Sequence, residues 1–168
     1  MPETHSKYFF NETNTCSIKE GSDIIIVTDN FSTPENIGSI IRLAANVDAS
    51  RVIVLGSEAC RQSKVKKTAG AAMGHVKVEW QSADTLVIPD SYRLVALETV
   101  DGASDLYENE LPAKMAIVLG NEKYGISEEI LARCDEAVYV PMPGAIKSMN
   151  VSHAAATCLF EWLRQNLK

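Results

Sequence analysis

The residues that could do chemistry in this sequence of 168 residues fall in three segments, and the first runs from Asn30 to Arg42. Within it, Gly38 lies between Asn36 and Arg42, and Pro34 suits the first turn of a helix. Arg42 would emerge about two turns into that helix, and the glycine leaves room for close approach of a backbone or ligand. A solvated arginine on an amphipathic helix is the simpler alternative.

The second segment is Ile117–Ser127, which reads IVLGNEKYGIS. It ends a predicted strand at Gly120, turns through Asn121 and Glu122, and restarts as a helix at Ser127. Ligands of open α/β sheets bind at the carboxyl ends of strands, and a glycine there removes a side chain where a flat ring could lie against backbone. An ordinary loop between a strand and a helix remains the alternative.

The third segment is Val140–Ser152, which reads VPMPGAIKSMNVS and leads into the last predicted helix. Two prolines, a glycine and two methionines make this loop too apolar to lie fully in solvent. We therefore expect it to pack against a ligand or, as the alternative, to cover the core.

The elements that must position these segments alternate between short apolar runs and helical stretches. This alternation predicts an α/β fold with a mostly parallel sheet and helices on both faces, because nearly continuous apolar strands are typical of a sheet buried on both sides. The predicted strands are Ile24–Val27, Val52–Leu55, Val76–Val78, Leu94–Leu97, Ala116–Leu119 and Ala137–Val140, and the predicted helices are Glu35–Asn46, Ser63–Ala69, Ser127–Cys134 and Val151–Leu163.

Length and composition predict one compact domain, over residues 22–168, preceded by a tail or loosely docked arm over residues 1–21. The hydrophobic content is 46% and the charged content is 23%, which is ordinary for a globular protein. No apolar run approaches the roughly 18 residues of a membrane span, and the polar start lacks the apolar region of a secretory signal. We therefore expect a cytoplasmic protein without a membrane partner.

The net charge of −6 argues against a nucleic-acid partner, but the charges are unevenly distributed. The stretch from residue 61 to residue 77 contains no acidic residue. It is either a solvated helix face or a local surface for RNA. Its basic residues are Arg61, Lys64, Lys66, Lys67, His75 and Lys77.

Several common enzyme classes lack their sequence patterns here. No GxGxxG turn, Walker A loop or GxSxG elbow is present, so dinucleotide-binding, NTPase and hydrolase functions are disfavoured. The four cysteines are scattered without a CxxC pair, which predicts neither a metal site nor a disulfide framework.

In their order and spacing, the motifs NxGxxxR, LGNExxGIS and PMPGxxxSMNVS closely resemble those of the SpoU branch of the SPOUT superfamily, the TrmH-like RNA ribose 2′-O-methyltransferases. The resemblance covers the chain from about Ser22 onward, and Met149 replaces the usual leucine, a near-isosteric change. It implies a deep trefoil knot near the carboxyl end and a cofactor, S-adenosylmethionine, with no metal. The residues it implies for cofactor binding are Leu97, Gly120, Asn121, Val140, Met142, Gly144, Ser148 and Met149.

The same resemblance implies the roles of the remaining residues. Arg42 would bind an RNA phosphate and stabilise the alkoxide, or act as the base, while Asn36, Glu122, Ser148 and Asn150 complete the catalytic set. RNA, either tRNA or rRNA, would contact Arg42, Arg61, Lys64, Lys66 and Lys67. Relatives place the arginine of one protomer beside the cofactor of the other, so we expect a homodimer, with the apolar face of the last helix available for pairing. The alternatives are an inactive RNA-binding module of the same fold and an unrelated flavodoxin-like domain.

Overall fold

In the computed structural model, which describes residues 16–56 and 62–168, seven strands form one sheet. The strand order is β3-β2-β1-β6-β4-β7-β5, and every neighbouring pair is parallel. The bounds are β1 Asp23–Asp29, β2 Arg51–Leu55, β3 Lys77–Gln81, β4 Arg93–Leu97, β5 Ser104–Asp105, β6 Lys114–Leu119 and β7 Glu136–Tyr139. All six predicted strands are present, and the short β5 was not predicted.

Four α-helices connect or follow these strands in the described ranges: α1 Pro34–Asn46, α2 Gln62–Ala69, α3 Glu128–Leu131 and α4 Val151–Asn166. Two 3-10 helices, Gly70–Gly74 and Ala83–Thr85, lie before β3 and after it. Pro34 lies in the first turn of α1, where its fixed φ favours the helix and its missing N–H leaves no bond unmade. The predicted helix at Ser127–Cys134 is shorter than expected, because the chain turns toward β7 after Leu131.

The two faces of the sheet bury alternate residues of the central strands. In β1, Ile24 and Ile26 pack on one face beneath α1, α2 and α4, whereas Ile25 and Val27 pack on the other. That second face is covered by α3 and by the segment of residues 83–92. The predicted α/β architecture with helices on both faces is confirmed. Each helix in the described ranges is too short or too polar to cross a lipid bilayer.

Helix α4 is held by its cap and by one apolar face. Asn150 is its N-cap, and the side-chain oxygen accepts a hydrogen bond from the backbone N–H of Ser152 at 2.8 Å. Cys158, Leu159 and Trp162 are fully buried in the core of the same chain. The apolar periodicity that suggested a pairing surface is therefore explained by packing within one chain.

The described part of the predicted tail is bound to the end of α4. The N–H of Lys19 donates to the carbonyl of Asn166 at 2.8 Å, and the N–H of Lys168 donates to the carbonyl of Ser17 at 2.9 Å. The hydroxyl of Ser22 donates to the side-chain oxygen of Asn166 at 2.9 Å. Residues 17–22 are thus a docked arm, and residues 1–15 lie outside the described part of the chain.

Candidate active site

The carboxyl ends of β4, β6 and β7 are neighbours in the sheet, so the loops that follow them meet at one edge. A pocket of about 300 Å³ lies there, between the loop after β6 and the segment that precedes α4. All the predicted cofactor residues except Gly144 line it. Gly144 is exposed and lies outside the lining. The lining residues are Leu97, Glu98, Thr99, Gly120, Asn121, Glu122, Lys123, Gly125, Tyr139, Val140, Met142, Lys147, Ser148, Met149, Asn150, Val151 and Ala154.

The loop after β6 is closed on itself by a short ladder. The backbone groups of Asn121 and Gly125 exchange two hydrogen bonds of 2.9 Å. A Cβ on Gly120 would lie 2.3 Å from the backbone nitrogen of Ile126, so only glycine fits beneath this ladder. The requirement for glycine was expected to come from a ligand ring, and it comes from the chain's own backbone. The loop therefore presents a fixed wall to the pocket.

Glu122 ties that loop to the start of α1. Its carboxylate accepts hydrogen bonds from the N–H and hydroxyl of Ser32, at 3.0 and 2.8 Å, and from the N–H of Thr33, at 3.0 Å. The side-chain amide of Asn36 donates to it at 2.8 Å. Burial is the largest single influence and raises the pKa of Glu122, but the hydrogen bonds from Asn36 and Ser32 together outweigh it and lower the pKa to about 2. A carboxylate with so low a pKa is a poor proton acceptor near neutral pH, and its hydrogen bonds tie the loop after β6 to α1.

Two asparagines extend this contact to the third segment. The amide nitrogen of Asn150 donates to the side-chain oxygen of Asn36 at 3.3 Å, and the hydroxyl of Ser152 donates to the side-chain oxygen of Asn150 at 2.6 Å. The chain of hydrogen bonds from Glu122 through Asn36 and Asn150 to Ser152 is called the amide relay below. It joins all three of the predicted segments at the pocket.

Glu98 is a site residue that the sequence reasoning missed. It follows β4 directly and lines the pocket. Its carboxylate accepts hydrogen bonds from the N–H of Thr99 at 2.9 Å and from the N–H of Ile126 at 3.2 Å. It therefore couples the end of β4 to the loop after β6. An acidic residue at the carboxyl end of an apolar strand is the signal that could have found it.

Arg42 lies on the exposed side of α1 and does not line the pocket of its own chain. One guanidinium nitrogen donates to the carbonyl of Ala69 at 3.4 Å. The side chain instead borders a separate hollow with Asn46, Asp48 and His75. The chain alone does not bring Arg42 together with the rest of the predicted catalytic set.

Gly38, between Asn36 and Arg42, allows α1 and α2 to pack closely. A Cβ there would lie 2.9 Å from the carbonyl oxygen of Val65 and 2.5 Å from the Cβ of Thr68. The space that Gly38 was expected to leave for a ligand or a backbone is thus filled by α2.

The predicted basic surface lies on α2 and is partly neutralised. Lys64 forms an ion pair with Glu35 at 3.3 Å, whereas Lys66 and Lys67 are exposed on the same helix. Arg61 lies outside the described residues. Across residues 16–56 and 62–168, no three His, Cys, Asp or Glu side chains come close enough together to hold a metal ion.

The chemistry of the pocket suits a flat ring with polar edges. Leu97, Val140 and Met142 supply apolar surface, and the loop after β6 and the segment before α4 also supply polar residues. The polar side chains Ser148 and Asn150 lie with Glu122 in the lining. The pocket can thus enclose an apolar ring while leaving a reactive group next to polar residues.

Comparison with known proteins identifies the family. The SpoU rRNA Methylase family matches residues 23–160. A 23S rRNA (guanosine-2′-O-)-methyltransferase RlmB from Photobacterium profundum is 30% identical over 161 residues, which is 92% of this chain and 66% of that protein.

Two solved structures share the fold. The SpoU methyltransferase AviRb from Streptomyces viridochromogenes, in complex with the cofactor AdoMet, superposes with a TM-score of 0.74 at 25% identity, over 88% of this chain and 60% of that one. A structure solved to explain the 2-OH methylation of C/U34 on tRNA gives a TM-score of 0.76 at 26% identity, over 86% of this chain and 96% of that one.

This chain spans between 59% and 66% of the length of the curated relatives compared. The family match nevertheless covers the strands β1 to β7 and most of α4, with all three of the predicted segments, of which the second and third line the pocket. It also rules out the flavodoxin-like alternative. The chain therefore belongs to the SpoU rRNA methylase family.

Proposed function

We propose that this protein transfers a methyl group from S-adenosylmethionine to a ribose 2′-hydroxyl of tRNA or rRNA. The observation that carries the proposal is the amide relay, because it joins the three family segments beside a pocket that Glu122 and Asn150 line. An RNA-binding module without catalysis would not need Glu122, Asn36 and Asn150 held in this arrangement.

The pocket fits the proposed cofactor in size and chemistry. Its volume of about 300 Å³ lies at the lower end of the range for small-molecule sites, and its lining combines apolar with polar residues. Leu97, Gly120, Val140, Met142 and Met149 would hold the adenine and ribose, and Asn121 and Ser148 would contact the rest. When bound, the sulfonium supplies an activated methyl group, so the protein mainly has to orient it and exclude water.

The polar residues then have to help a ribose hydroxyl lose its proton. We assign to Arg42 the binding of an RNA phosphate and the stabilisation of the developing alkoxide, because a guanidinium with a pKa above about 12 is a poor proton acceptor. Asn36, Glu122, Ser148 and Asn150 would fix the geometry around the ribose. Direct proton acceptance by Arg42 is the alternative mechanism, and the response to Arg42→Lys separates the two.

The active form is proposed to be a homodimer. Arg42 lies outside the pocket of its own chain, so a complete site needs the arginine of a second protomer. Phe160 on the outer side of α4 and Ile146 before it are exposed apolar side chains that would suit a contact between protomers. The buried face of α4 is not available for this purpose.

By family resemblance, we also propose that the segment before α4 passes through a loop to form a deep trefoil knot. The packing of Val140, Met142 and Met149 at the same pocket as the loops after β4 and β6 supports this proposal. Such knots are rare exceptions to the rule that protein chains do not thread loops.

The proposed substrates are tRNA or rRNA, and the proposed contact surface is α2 with its flanks. Lys66 and Lys67 are exposed there, and Arg61, Lys64 and Arg42 would extend the surface. The relatives support both substrate classes, since one is named for guanosine in 23S rRNA and another structure for C/U34 on tRNA. Because both RNAs are processed in the cytoplasm of bacteria, we propose that the protein acts there.

The test combines binding with substrate mapping. Calorimetry should show about one S-adenosylhomocysteine per chain with an affinity in the micromolar range. Mapping of 2′-O-methyl groups in total RNA from cells with and without the gene should reveal a site that disappears, and the purified protein should restore methylation at that site. Absence of cofactor binding at high ligand concentration, together with an unchanged methylation map, would contradict the proposal.

A further inference from the structure

Tyr124 is an exposed aromatic residue at the rim of the pocket. Its side chain is 77% exposed, although its neighbours on both sides, Lys123 and Gly125, line the pocket. A large aromatic ring in solvent loses the free energy of burial, so its place beside a ligand site needs a reason.

The exposure of Tyr124 does not come from a loose loop. The side-chain oxygen of Asn121 accepts hydrogen bonds from the N–H of Lys123 at 2.9 Å and from the N–H of Tyr124 at 3.1 Å. The ladder between Asn121 and Gly125 and the four hydrogen bonds to Glu122 hold the same loop. The backbone therefore presents the ring in one place, which lowers the entropy lost when a ligand binds it.

Lys123 adds a charge to the ring. Its ammonium nitrogen lies 5.0 Å from the centroid of the Tyr124 ring, which is within the range of a cation–π contact. One face of the ring is thus paired with a cation that also borders the pocket, and the exposed ring remains accessible for a second flat group. An aromatic face next to a lysine is the combination that binds a nucleobase and its phosphate in single-stranded RNA.

We propose that Tyr124 stacks on an unpaired nucleobase of the substrate RNA beside the methylated ribose, while Lys123 contacts the adjoining phosphate. This inference rests on the proposed function, because it takes the substrate to be RNA. Tyr124 is a positioning residue: the ring fixes the nucleotide so that its 2′-hydroxyl reaches the polar side of the pocket. A ribose in a stacked duplex would present its base to the neighbouring bases instead, so the inference also requires an unpaired target.

The first experiment measures RNA affinity in the presence of S-adenosylhomocysteine, with bulk tRNA and with a mixed single-stranded RNA of about 12 nucleotides as probes. Tyr124→Ala should weaken binding about 5- to 100-fold, the range found when a stacking ring is removed, whereas Tyr124→Phe should bind within about 2-fold of the wild type. Tyr107→Ala is the matched control, since Tyr107 is 56% exposed but, unlike Tyr124, has no neighbour in the chain that lines the pocket. Calorimetry should give the same S-adenosylhomocysteine affinity for all variants.

A second probe separates stacking from charge. An abasic RNA of the same length keeps the phosphates but has no base to stack, so the wild type should prefer the normal RNA and Tyr124→Ala should lose that preference. Lys123→Ala should keep the preference for normal over abasic RNA. It should flatten the slope of log RNA affinity against log salt concentration by about 0.7, the value for one lost single-strand phosphate contact.

Five results would overturn the inference. Equal affinities of Tyr124→Ala and Tyr107→Ala, or an unchanged preference for normal over abasic RNA in Tyr124→Ala, would show that the ring does not stack. Equal weakening by Tyr124→Phe and Tyr124→Ala would assign the effect to the hydroxyl group. A change in mass of Tyr124→Ala in sedimentation would make the ring a contact between protomers. If the wild type binds neither S-adenosylhomocysteine nor RNA, the proposed function fails and the inference fails with it.

Discussion

Replacing Glu122 by glutamine tests whether this carboxylate positions the site rather than accepting a proton. The pKa of Glu122 falls from 4.5 to about 2 because four hydrogen bonds outweigh the effect of burial. Since one pKa unit corresponds to about 1.4 kcal/mol, the upper limit of the stabilisation is about 3 kcal/mol. Glu122 is exposed, and solvent screening reduces that figure to about 1–2 kcal/mol.

The direction of the pH dependence follows from the lowered pKa. A carboxyl whose pKa is depressed on folding stabilises the native state fully above its ordinary value of 4.5, and this contribution is lost as the pH falls toward 2. A glutamine offers one oxygen and an N–H₂ group, and that group would face either the two donors of Ser32 or the donors of Thr33 and Asn36. Glu122→Gln should therefore be less stable by about 1–2 kcal/mol near pH 7, and the difference should shrink below about pH 4.

The assay is urea unfolding near pH 7 and near pH 3.5, with methyl transfer measured on the same samples. Glu129→Gln, in the exposed first turn of α3, is the matched control for the loss of one negative charge and should leave the stability nearly unchanged. Equal stability of Glu122→Gln and wild type near pH 7 would refute the reasoning. A loss of transfer of about 1000-fold at unchanged stability would show that Glu122 takes part in the chemistry.

Arg42→Ala is expected to cut methyl transfer about 100-fold or more at unchanged S-adenosylhomocysteine affinity, and wild-type transfer would remove Arg42 from the active site. Arg42→Lys should lose much activity if two parallel hydrogen bonds to phosphate matter; full activity with a shifted pH optimum would favour a proton acceptor. The double variant Lys66→Ala/Lys67→Ala should flatten the slope of log RNA affinity against log salt concentration by about 0.7 per lost phosphate contact. The effect should be larger than that of Lys64→Ala, because Lys64 already pairs with Glu35. An unchanged slope would make the α2 face ordinary solvated surface. Light scattering should give the mass of two chains, and a stable monomer at micromolar concentration would contradict the homodimer.

The central fold could be predicted because its signals are local. The run from Ile24 to Val27 is apolar at every position, which is typical of a strand buried on both faces, and all four residues are buried. The spacing of Cys158, Leu159 and Trp162 likewise predicted the apolar face of α4, although that face packs in the core of its own chain and not against a second protomer. By contrast, β5 has only two residues, Ser104 and Asp105, and is too short to show any periodicity.

The sequence could suggest members of the candidate site but not their contacts. The motifs supplied Asn36, Glu122 and Asn150, yet no local pattern indicates that they form one relay, because the partners come from three separate segments. The same limit applies to Gly120, because the backbone atoms that leave no room for a Cβ there belong to Gly125 and Ile126, which the loop folds against it. Glu98 was missed for a related reason, since its role depends on the N–H of Ile126 across the pocket.

The amide relay also bears on the order in which the molecule folds. Its bonds join residues that are 86 and 114 positions apart, so two large loops must close before these bonds can form. Closing large loops costs chain entropy before any contact offsets it, which makes such contacts slow to form. The neighbouring strands β1 and β2 can pair once the connection through α1 is made, whereas the pocket forms only when α4 has docked as well. We therefore expect the pocket to form after the sheet during refolding, so that recovery of ligand binding reports the docking of the last helix.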